Sequence, residues 1–380
     1  GGGAADAGKD KKTVTAAIRN TASAEASMEA SGDIVMDISG EAIHVALPDH
    51  DATGEYSRHA GVVMQSIFDN TQRSVCVHIL HDEPLTDRNR NNFKAVAESH
   101  GQQVVFDDVS SLLARMGQSA SRLTTLSRYS VGALFPILVP CTLTADRAIY
   151  LDSDIVVNLD IGEVWDIDMK GRSLAGVRDD FLSSKHRSFL SPEALSARLN
   201  GCDLSAYVNS GMLVFDLRKL RNEGKENLFE PCSQWFERHR HSARYLDQDF
   251  LNAHFRGDIT LVDERFNRHG STGDTENTII HYTGPVKPWN GMLGRSKELP
   301  YWRYFSRTPW AQPLEEVLVR NMMEAAMGSP NMHPHVSRCY KKILSRLRRD
   351  LLRWVSRAGT WTAILCAESL CRLKGLFESK

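Results

Sequence analysis

Two carboxylates one residue apart, Asp152 and Asp154, are the residues whose type and spacing point most directly to chemistry. They follow the apolar run 148–151, which predicts a strand, and precede a second apolar run at 155–157. Carboxylates at positions i and i+2 of a bending loop can both bind one hard divalent cation and leave positions open for phosphate oxygens. An aspartate-rich turn or helix cap is the alternative, although a capping aspartate rarely lies between two strand-like runs.

A second candidate segment covers residues 281–289 and follows an apolar pair. A strand would here end at the imidazole of His281, while Gly284 would allow close approach of the backbone and Lys287 would offer a positive charge to a phosphate. A single histidine at a strand end is often only a hydrogen-bonded structural residue. Combined with the two aspartates, however, His281 would supply the third ligand of a cation that holds a diphosphate.

The elements that must position these residues alternate between strand and helix. Apolar runs predict strands at 43–47, 75–80, 104–106, 148–151, 174–177, 212–215 and 278–282. Helical spacing predicts helices at 62–68, 86–100, 127–138 and 247–255, with Pro136 and Pro140 ending the third. This alternation is typical of an α/β sheet with parallel crossovers, in which ligands collect at the carboxyl ends of the strands.

Composition indicates an ordinary globular protein. Hydrophobic residues make up 42% and charged residues 24%, and the formal net charge of -1 gives no sign of a nucleic-acid partner. The seven cysteines are scattered without a CxxC pair, which argues against a disulfide framework or a zinc site and favours a reducing cytoplasm. Neither a membrane-spanning apolar stretch nor a secretory signal pattern is found, so we expect a cytoplasmic protein.

Three regions are expected along the chain. Residues 1–40 have no apolar periodicity and would be a disordered tail, because they cannot bury enough surface to offset the entropy of ordering. Residues 41–310 would form the catalytic domain, and residues 311–380 a helical, basic extension. Within the extension, basic and apolar residues recur at helical spacing over 338–357. This pattern predicts either an amphipathic helix on an anionic membrane surface or a helix packed against the catalytic domain.

Four segments occur in the order that is seen in family 8 glycosyltransferases, namely 150–154, 207–211, 246–249 and 281–289. The chain thus resembles that family over roughly residues 42 to 310, and in particular its bacterial lipopolysaccharide core glucosyl- and galactosyltransferases. The resemblance implies one Rossmann-like α/β domain that binds a nucleotide sugar, with a mixed sheet of the GT-A type. It also implies a retaining hexosyltransferase that uses Mn²⁺ or Mg²⁺, UDP-glucose or UDP-galactose as donor, and an oligosaccharide or glycolipid acceptor.

The resemblance further implies roles for individual residues. Asp152, Asp154 and His281 would bind the metal, while Asp247 would contact the donor sugar and Gln248 would lie close to the anomeric carbon. The implied contacts with the UDP-sugar are Val45, Ala46, Leu47, Asp49 (or Asp51 in its place near the uracil), Arg128, Asp152, Ser153, Asp179, Asn209, Gly284 and Lys287. Segment 48–55 departs from the family pattern, which puts the uridine contacts there in question.

Plainer interpretations of some of these residues remain open. The segment 209–211 could be only a turn before a strand, and Asp247 and Asp249 could be acidic residues that a helix amino terminus favours. For the implied transfer, the amide of Gln248 is a weak nucleophile. We therefore expect front-face attack by the acceptor hydroxyl, with the departing phosphate taking the proton, rather than a long-lived covalent intermediate.

Two other functions also remain open. A sugar-1-phosphate nucleotidyltransferase uses an α/β sheet and paired carboxylates on a metal, but it commonly has a Gly-rich basic loop after the first strand, where this chain has residues 48–51. A non-catalytic carbohydrate-binding protein of the same fold would not require the metal ligands. If the acceptor is lipid-linked, the helix at 338–357 would contact the inner face of the plasma membrane.

Overall fold

The computed structural model describes residues 42–82, 85–115, 131–179, 204–239, 245–269, 275–284, 287–290 and 298–311, together with positions 341, 342, 345, 346 and 349. The predicted tail and nearly all of the predicted extension lie outside these residues. The five positions between 341 and 349 are helical with exposed side chains. None of the helices in the described part of the chain is long and apolar enough to cross a membrane.

A mixed seven-stranded sheet forms the centre of the described chain, in the order β3-β2-β1-β4-β7-β6-β8. Its strands are β1 (Ile43–Asp49), β2 (Val75–His81), β3 (Gln103–Asp108), β4 (Arg147–Leu151), β6 (Leu174–Arg178), β7 (Val208–Asp216) and β8 (Ile259–Val262). The pairs β3–β2, β2–β1 and β1–β4 are parallel, whereas β7 is antiparallel to both of its neighbours, β4 and β6. The mixed sheet confirms the predicted fold class.

A smaller sheet has the order β5-β10-β9 and is built from β5 (Ile155–Asn158), β9 (Arg268–His269) and β10 (Thr278–His281). Strand β10 pairs antiparallel with β5, so that His281 lies opposite Ile155. The backbone N–H of Tyr282 also donates to the carbonyl of Asp154 at 3.0 Å. This pairing carries His281 to the turn that holds the two aspartates.

The helices are α1 (Ser57–Asn70), α2 (Asp87–Ser99), α3 (Phe135–Thr142), α4 (Gly162–Trp165), α5 (Leu217–Asn222), α6 (Phe229–His239), α7 (Leu246–His254) and α8 (Leu299–Phe305). Two hydrophobic clusters form the core. Val45 and Leu47 of β1 belong to one cluster and Ala46 to the other, so both faces of β1 are buried. Burial on both faces explains the nearly continuous apolar run of this strand.

The structure differs from the sequence prediction around Pro136 and Pro140. Residues 131–134 form a 3₁₀ turn, and α3 begins at Phe135, so Pro136 lies in the first helical turn rather than at the end. A proline fits there because the first N–H groups of a helix have no partner within the helix. Pro140 lies inside α3.

Candidate active site

Asp152 and Asp154 lie in the turn that joins β4 to β5, as the sequence pattern indicates. The backbone N–H of Asp152 donates to the carbonyl of Gly211 at 2.9 Å, and the hydroxyl of Tyr150 donates to Oδ1 of Asp152 at 2.8 Å. The first hydrogen bond fixes the turn against β7, and the second fixes the carboxylate of Asp152 against β4. The second carboxylate oxygen of Asp152 is left to face the centre of the site.

His281 meets both aspartates. Its Nε2 lies 3.1 Å from Oδ1 of Asp154 and 3.6 Å from Oδ2 of Asp152. One ligand atom from each of the three residues lies within 4.8 Å of the others. The imidazole is buried, whereas the side chain of Asp152 is 35% exposed, so the cluster opens to solvent on the Asp152 side. The structure therefore brings together the three residues that were predicted to bind a metal.

Lys287 joins the cluster from the segment after β10. Its Nζ donates to Oδ2 of Asp154 and, at 2.8 Å, to the carbonyl of Tyr282. Gly284, between them, has a φ of +82°, a conformation that favours glycine, and no atom lies within 4 Å of an added Cβ. That Gly284 and Lys287 contact a phosphate stays a prediction.

Asn267 holds the imidazole in place, a role that no sequence signal revealed. Its Oδ1 lies 2.9 Å from Nδ1 of His281, and its Nδ2 donates to Oδ1 of Asn209 at 2.9 Å. Because the amide oxygen of Asn267 can only accept, Nδ1 of His281 carries a proton. In the neutral imidazole, Nε2 then presents its lone pair to the aspartates, and a partner of this kind commonly orients a metal-binding histidine.

The charges in the cluster shift the protonation of its members. Burial opposes ionisation of Asp154, but the positive charges of His281 and Lys287 hold its pKa well below the usual range. Burial and the negative charge of Asp154 raise the pKa of Asp152. Burial would lower the pKa of His281, yet the two carboxylates raise it above its ordinary value. A divalent cation would relieve the repulsion between the two aspartates.

The donor set fits a hard divalent cation such as Mn²⁺ or Mg²⁺, since carboxylate oxygens and an imidazole nitrogen are suitable ligands. Oδ1 of Asp154 is buried and, when the imidazole of His281 is neutral, has no hydrogen-bond donor, so it is free to bind such an ion. A β-carbon at Gly211 would lie 2.9 Å from Oδ2 of Asp152, so the glycine keeps this space open. The sequence pattern contained Gly211 but assigned it no role.

Three of the residues that were predicted to lie at the donor sugar, Asp179, Asn209 and Gln248, form one hydrogen-bonded network. Nε2 of Gln248 donates to Oδ2 of Asp179 at 2.9 Å. Its Oε1 accepts from Nδ2 of Asn209 at 3.0 Å and from the backbone N–H of Ser210 at 3.1 Å. Asn209, Ser210 and Gly211 belong to strand β7, so they are not the turn that the plainer interpretation offered.

Two acidic residues begin helix α7 with different roles. Asp249 accepts hydrogen bonds from the hydroxyl of Tyr207 and from the backbone N–H of Tyr245, which makes it part of the local scaffold. Asp247 is 9% exposed, and burial together with the charge of Asp152 raises its pKa to about 7, against a hydrogen bond from Ser210. A carboxyl group with this pKa beside a cluster of charges is typical of functional sites.

Other predicted nucleotide contacts find less support. Val45, Ala46 and Leu47 are fully buried in the core, where they offer no surface to a ligand. Oδ2 of Asp49 accepts from Ser57 while its Oδ1 has no donor, and burial raises the pKa of Asp49 to about 7. The hydroxyl of Ser153 donates to the carbonyl of Pro48. Arg128 lies outside the described residues.

A mixed α/β sheet that carries a carboxylate pair at a strand end is the architecture of a GT-A glycosyltransferase. The sequence profile of glycosyl transferase family 8 matches residues 50–292, and the chain belongs to this family.

Relatives of known sequence and structure agree with this assignment. General stress protein A of Bacillus subtilis (strain 168) is 25% identical over 281 residues, which are 68% of this chain and 92% of that protein. Probable galacturonosyltransferase-like 9 of Arabidopsis thaliana is 31% identical over 179 residues, 42% of this chain and 44% of that protein. The crystal structure of the galactosyltransferase LgtC with donor and acceptor sugar analogues matches with a TM-score of 0.56 and 20% identity, covering 72% of this chain and 98% of that chain. The last likeness shows the fold alone.

Proposed function

We propose that this glycosyltransferase is a retaining enzyme that moves glucose or galactose from a UDP-sugar onto a saccharide acceptor, with lipopolysaccharide core as the first candidate. The observation that supports this proposal most is the convergence of Asp152, Asp154 and His281, with Lys287 against Asp154. A binding protein for carbohydrate alone would not need this set of groups. Family membership favours glycosyl transfer over nucleotidyl transfer.

The leaving group explains why these residues are needed. As the bond between the anomeric carbon and the diphosphate breaks, negative charge develops on UDP, and a divalent cation bound by Asp152, Asp154 and His281 would stabilise that charge. Lys287 would contribute a second positive charge to a phosphate oxygen. Asn267 keeps the imidazole oriented throughout.

The hydrogen bonds of Gln248 support front-face attack. Its amide oxygen already accepts two hydrogen bonds, from Asn209 and Ser210, so its lone pairs are engaged and it is a poor nucleophile. A retaining glycosidase would instead place a carboxylate below the sugar. We infer that the acceptor oxygen bonds to the anomeric carbon on the face from which the phosphate leaves, and that the acceptor proton passes to a phosphate oxygen. The α configuration is thereby kept.

Donor choice would depend on the network around Gln248. Asp179 and Asn209 offer directional hydrogen-bonding groups of the kind that distinguish hydroxyl stereochemistry, and Gln248 holds both. A relative named as galacturonosyltransferase-like adds a uronic acid to the donors worth testing.

The experiment is hydrolysis of UDP-glucose, UDP-galactose and UDP-galacturonic acid without acceptor, with and without Mn²⁺. We expect Mn²⁺ to stimulate hydrolysis of one of the two UDP-hexoses, with Asp152→Asn losing the stimulation and the exposed-site control Asp166→Asn keeping it. A preference for UDP-galacturonic acid would refute the hexose assignment. No hydrolysis of any donor, with Mn²⁺ present, would argue for a binding protein.

We further propose that the helix predicted at 338–357 contacts an anionic membrane surface, as a lipid-linked acceptor would require. Its described positions Lys341, Lys342, Arg346 and Arg349 are exposed and basic. In a flotation assay, anionic liposomes should carry the whole chain to the top of the gradient but not a chain that ends near Pro334. Equal flotation of the two chains would exclude a role for this helix in membrane binding.

A further inference from the structure

A second cluster of metal-ligating side chains lies away from the candidate active site. One ligand atom each of His44, Cys76 and His78 lies within 4.8 Å of the others. His44 is the second residue of β1 and Asp49 the last, so about 17 Å of strand separates this cluster from the active-site end of β1. The cluster is therefore independent of the aspartate pair.

Strand pairing explains how the cluster forms. His44 of β1 lies beside Cys76 of β2 in the parallel register, and His78 projects to the same face of β2 because side chains alternate along a strand. Asp107 of β3 lies beside Leu80 of β2, again on that face. Three adjacent strands thus place four side chains of metal-site chemistry on one side of the sheet.

The contacts within the cluster resemble those of a metal site in which a carboxylate hydrogen-bonds to one of the ligating histidines. Nδ1 of His44 lies 3.0 Å from Nε2 of His78, and Nδ1 of His78 lies 3.0 Å from Oδ2 of Asp107. The two nitrogens of a tetrahedral zinc site, each about 2.0–2.1 Å from the ion, would be about 3.3 Å apart, so only a small shift is needed. A carboxylate on the far nitrogen of a ligating histidine fixes its tautomer and orientation, as Asp107 would for His78.

We propose that His44, Cys76 and His78 bind a zinc ion, with Asp107 as a positioning residue. Cys76 is fully buried while both histidines are partly exposed, so the fourth ligand position would open on the histidine side. Thiolate and imidazole ligands select zinc over Mn²⁺ and Mg²⁺, which the carboxylates of the other site suit better. Binding would release the thiol proton of Cys76 and displace the proton that joins the two imidazoles.

The absence of a CxxC pair argued against a zinc site in the sequence analysis. A search for such pairs finds only ligands that are close together in the sequence. Here one ligand comes from β1 and two come from β2, and only the strand register brings them together. A zinc ion at this position would tie β1 to β2 and, through Asp107, to β3. We therefore expect it to stabilise the sheet rather than to take part in the reaction.

Cobalt substitution tests the proposal on the full chain. Co²⁺ bound to a thiolate gives a charge-transfer band in the near ultraviolet that carboxylate and imidazole ligands do not give, so the active-site cluster cannot produce it. We expect the band in the wild type at one equivalent, its displacement by Zn²⁺, and its loss in Cys76→Ser. The matched control is Cys141→Ser, which changes an exposed free cysteine and should keep the band.

The variant Asp107→Asn tests whether Asp107 positions His78 for zinc binding, because it leaves all three proposed ligands in place. This variant should keep the cobalt band but weaken zinc affinity about 10- to 100-fold, measured by competition with a chelating dye. If Cys76→Ser fails to fold, His44→Asn takes its place and should also lose high-affinity zinc. The proposal is wrong if the folded wild type binds Co²⁺ without the band, or if the band persists in Cys76→Ser. Neither result would bear on glycosyl transfer.

Discussion

A β-carbon added to Gly211 would lie 2.1 Å from Cε1 of His281, closer than real side-chain contacts allow. The same atom would lie 2.9 Å from Oδ2 of Asp152. Strand β7 therefore packs its bare backbone between the imidazole and the carboxylate. A residue that binds nothing itself sets the geometry of the proposed metal ligands.

Gly211→Ala should therefore damage the site without unfolding the protein. The new methyl group must push His281 or Asp152 aside, and a displacement of about 1 Å can reduce kcat/KM on the order of 100-fold. Donor turnover with Mn²⁺ measures the loss. The control is Gly224→Ala. At Gly224 φ is +64° and no atom lies within 4 Å of an added Cβ, so we expect the variant to lose roughly 1 kcal/mol of stability and to keep its activity. Near wild-type turnover in Gly211→Ala would show that the imidazole is not needed.

Lys287→Ala should weaken binding of UDP. A charged hydrogen bond to a phosphate typically contributes enough to change affinity roughly 10- to 100-fold when it is lost. Isothermal titration with UDP and Mn²⁺ measures the effect. Lys225→Ala removes an exposed lysine that pairs with Glu223 and should bind UDP like the wild type. Unchanged affinity in Lys287→Ala would place the diphosphate elsewhere.

How much of this site could be predicted differs from residue to residue. The Asp152–Asp154 turn was predictable because its signal is local, two carboxylates between apolar strand-like runs. His281 could be proposed as third ligand from its place at a predicted strand end, but its contact with the aspartates depends on the pairing of β5 with β10, which no residue pattern showed. Asn267 gave no signal, since its role depends on a hydrogen bond to His281 that forms only after β10 is in place.

The fold shows the same division. Buried parallel strands such as β1 and β2 are short continuous apolar runs, and both were predicted to within two residues of their ends. Strand β7 begins four residues earlier than its continuous apolar part suggests, because Asn209, Ser210 and Gly211 interrupt the apolar pattern after Val208. The reversal of β7 against β4 and β6 leaves no mark in residue type and entered the prediction only through the family resemblance.

Gln248→Ala distinguishes the two retaining mechanisms. Loss of the side chain removes hydrogen bonds to Asp179 and Asn209 and leaves both without this partner. We therefore expect kcat to fall roughly 10- to 100-fold, the range that corresponds to the loss of one or two such hydrogen bonds. Product formed by the residual activity should still have the α configuration, which proton NMR of the product reports. Gln234→Ala, on the exposed face of α6, serves as the control. A glycosyl adduct trapped on Gln248 or Asp247 during turnover would refute front-face attack.

The pH dependence of stability should carry a contribution from Asp247. Burial raises its pKa from 3.8 to about 7, so between these values the folded state holds a proton that the unfolded chain releases. The free energy of unfolding then decreases as pH rises through this window. Asp247→Asn stays neutral and should gain stability relative to the wild type from pH 4 to pH 8, by up to roughly 4 kcal/mol.

Urea unfolding in EDTA measures this effect without a bound metal. The exposed-site variant Asp166→Asn is the control, and it should not show the gain expected of Asp247→Asn. Parallel curves of stability against pH for the wild type and Asp247→Asn would show that the buried carboxyl has an ordinary pKa.

The central claim is that two aspartates and a distant histidine hold one cation against the diphosphate of a sugar nucleotide. Crystals soaked with Mn²⁺ and UDP test it most directly, because anomalous scattering at the manganese edge locates the ion. The account predicts one manganese peak within bonding distance of Asp152, Asp154 and His281, with phosphate oxygens completing its coordination. A manganese peak elsewhere, or bound UDP with no metal between those three side chains, would contradict it.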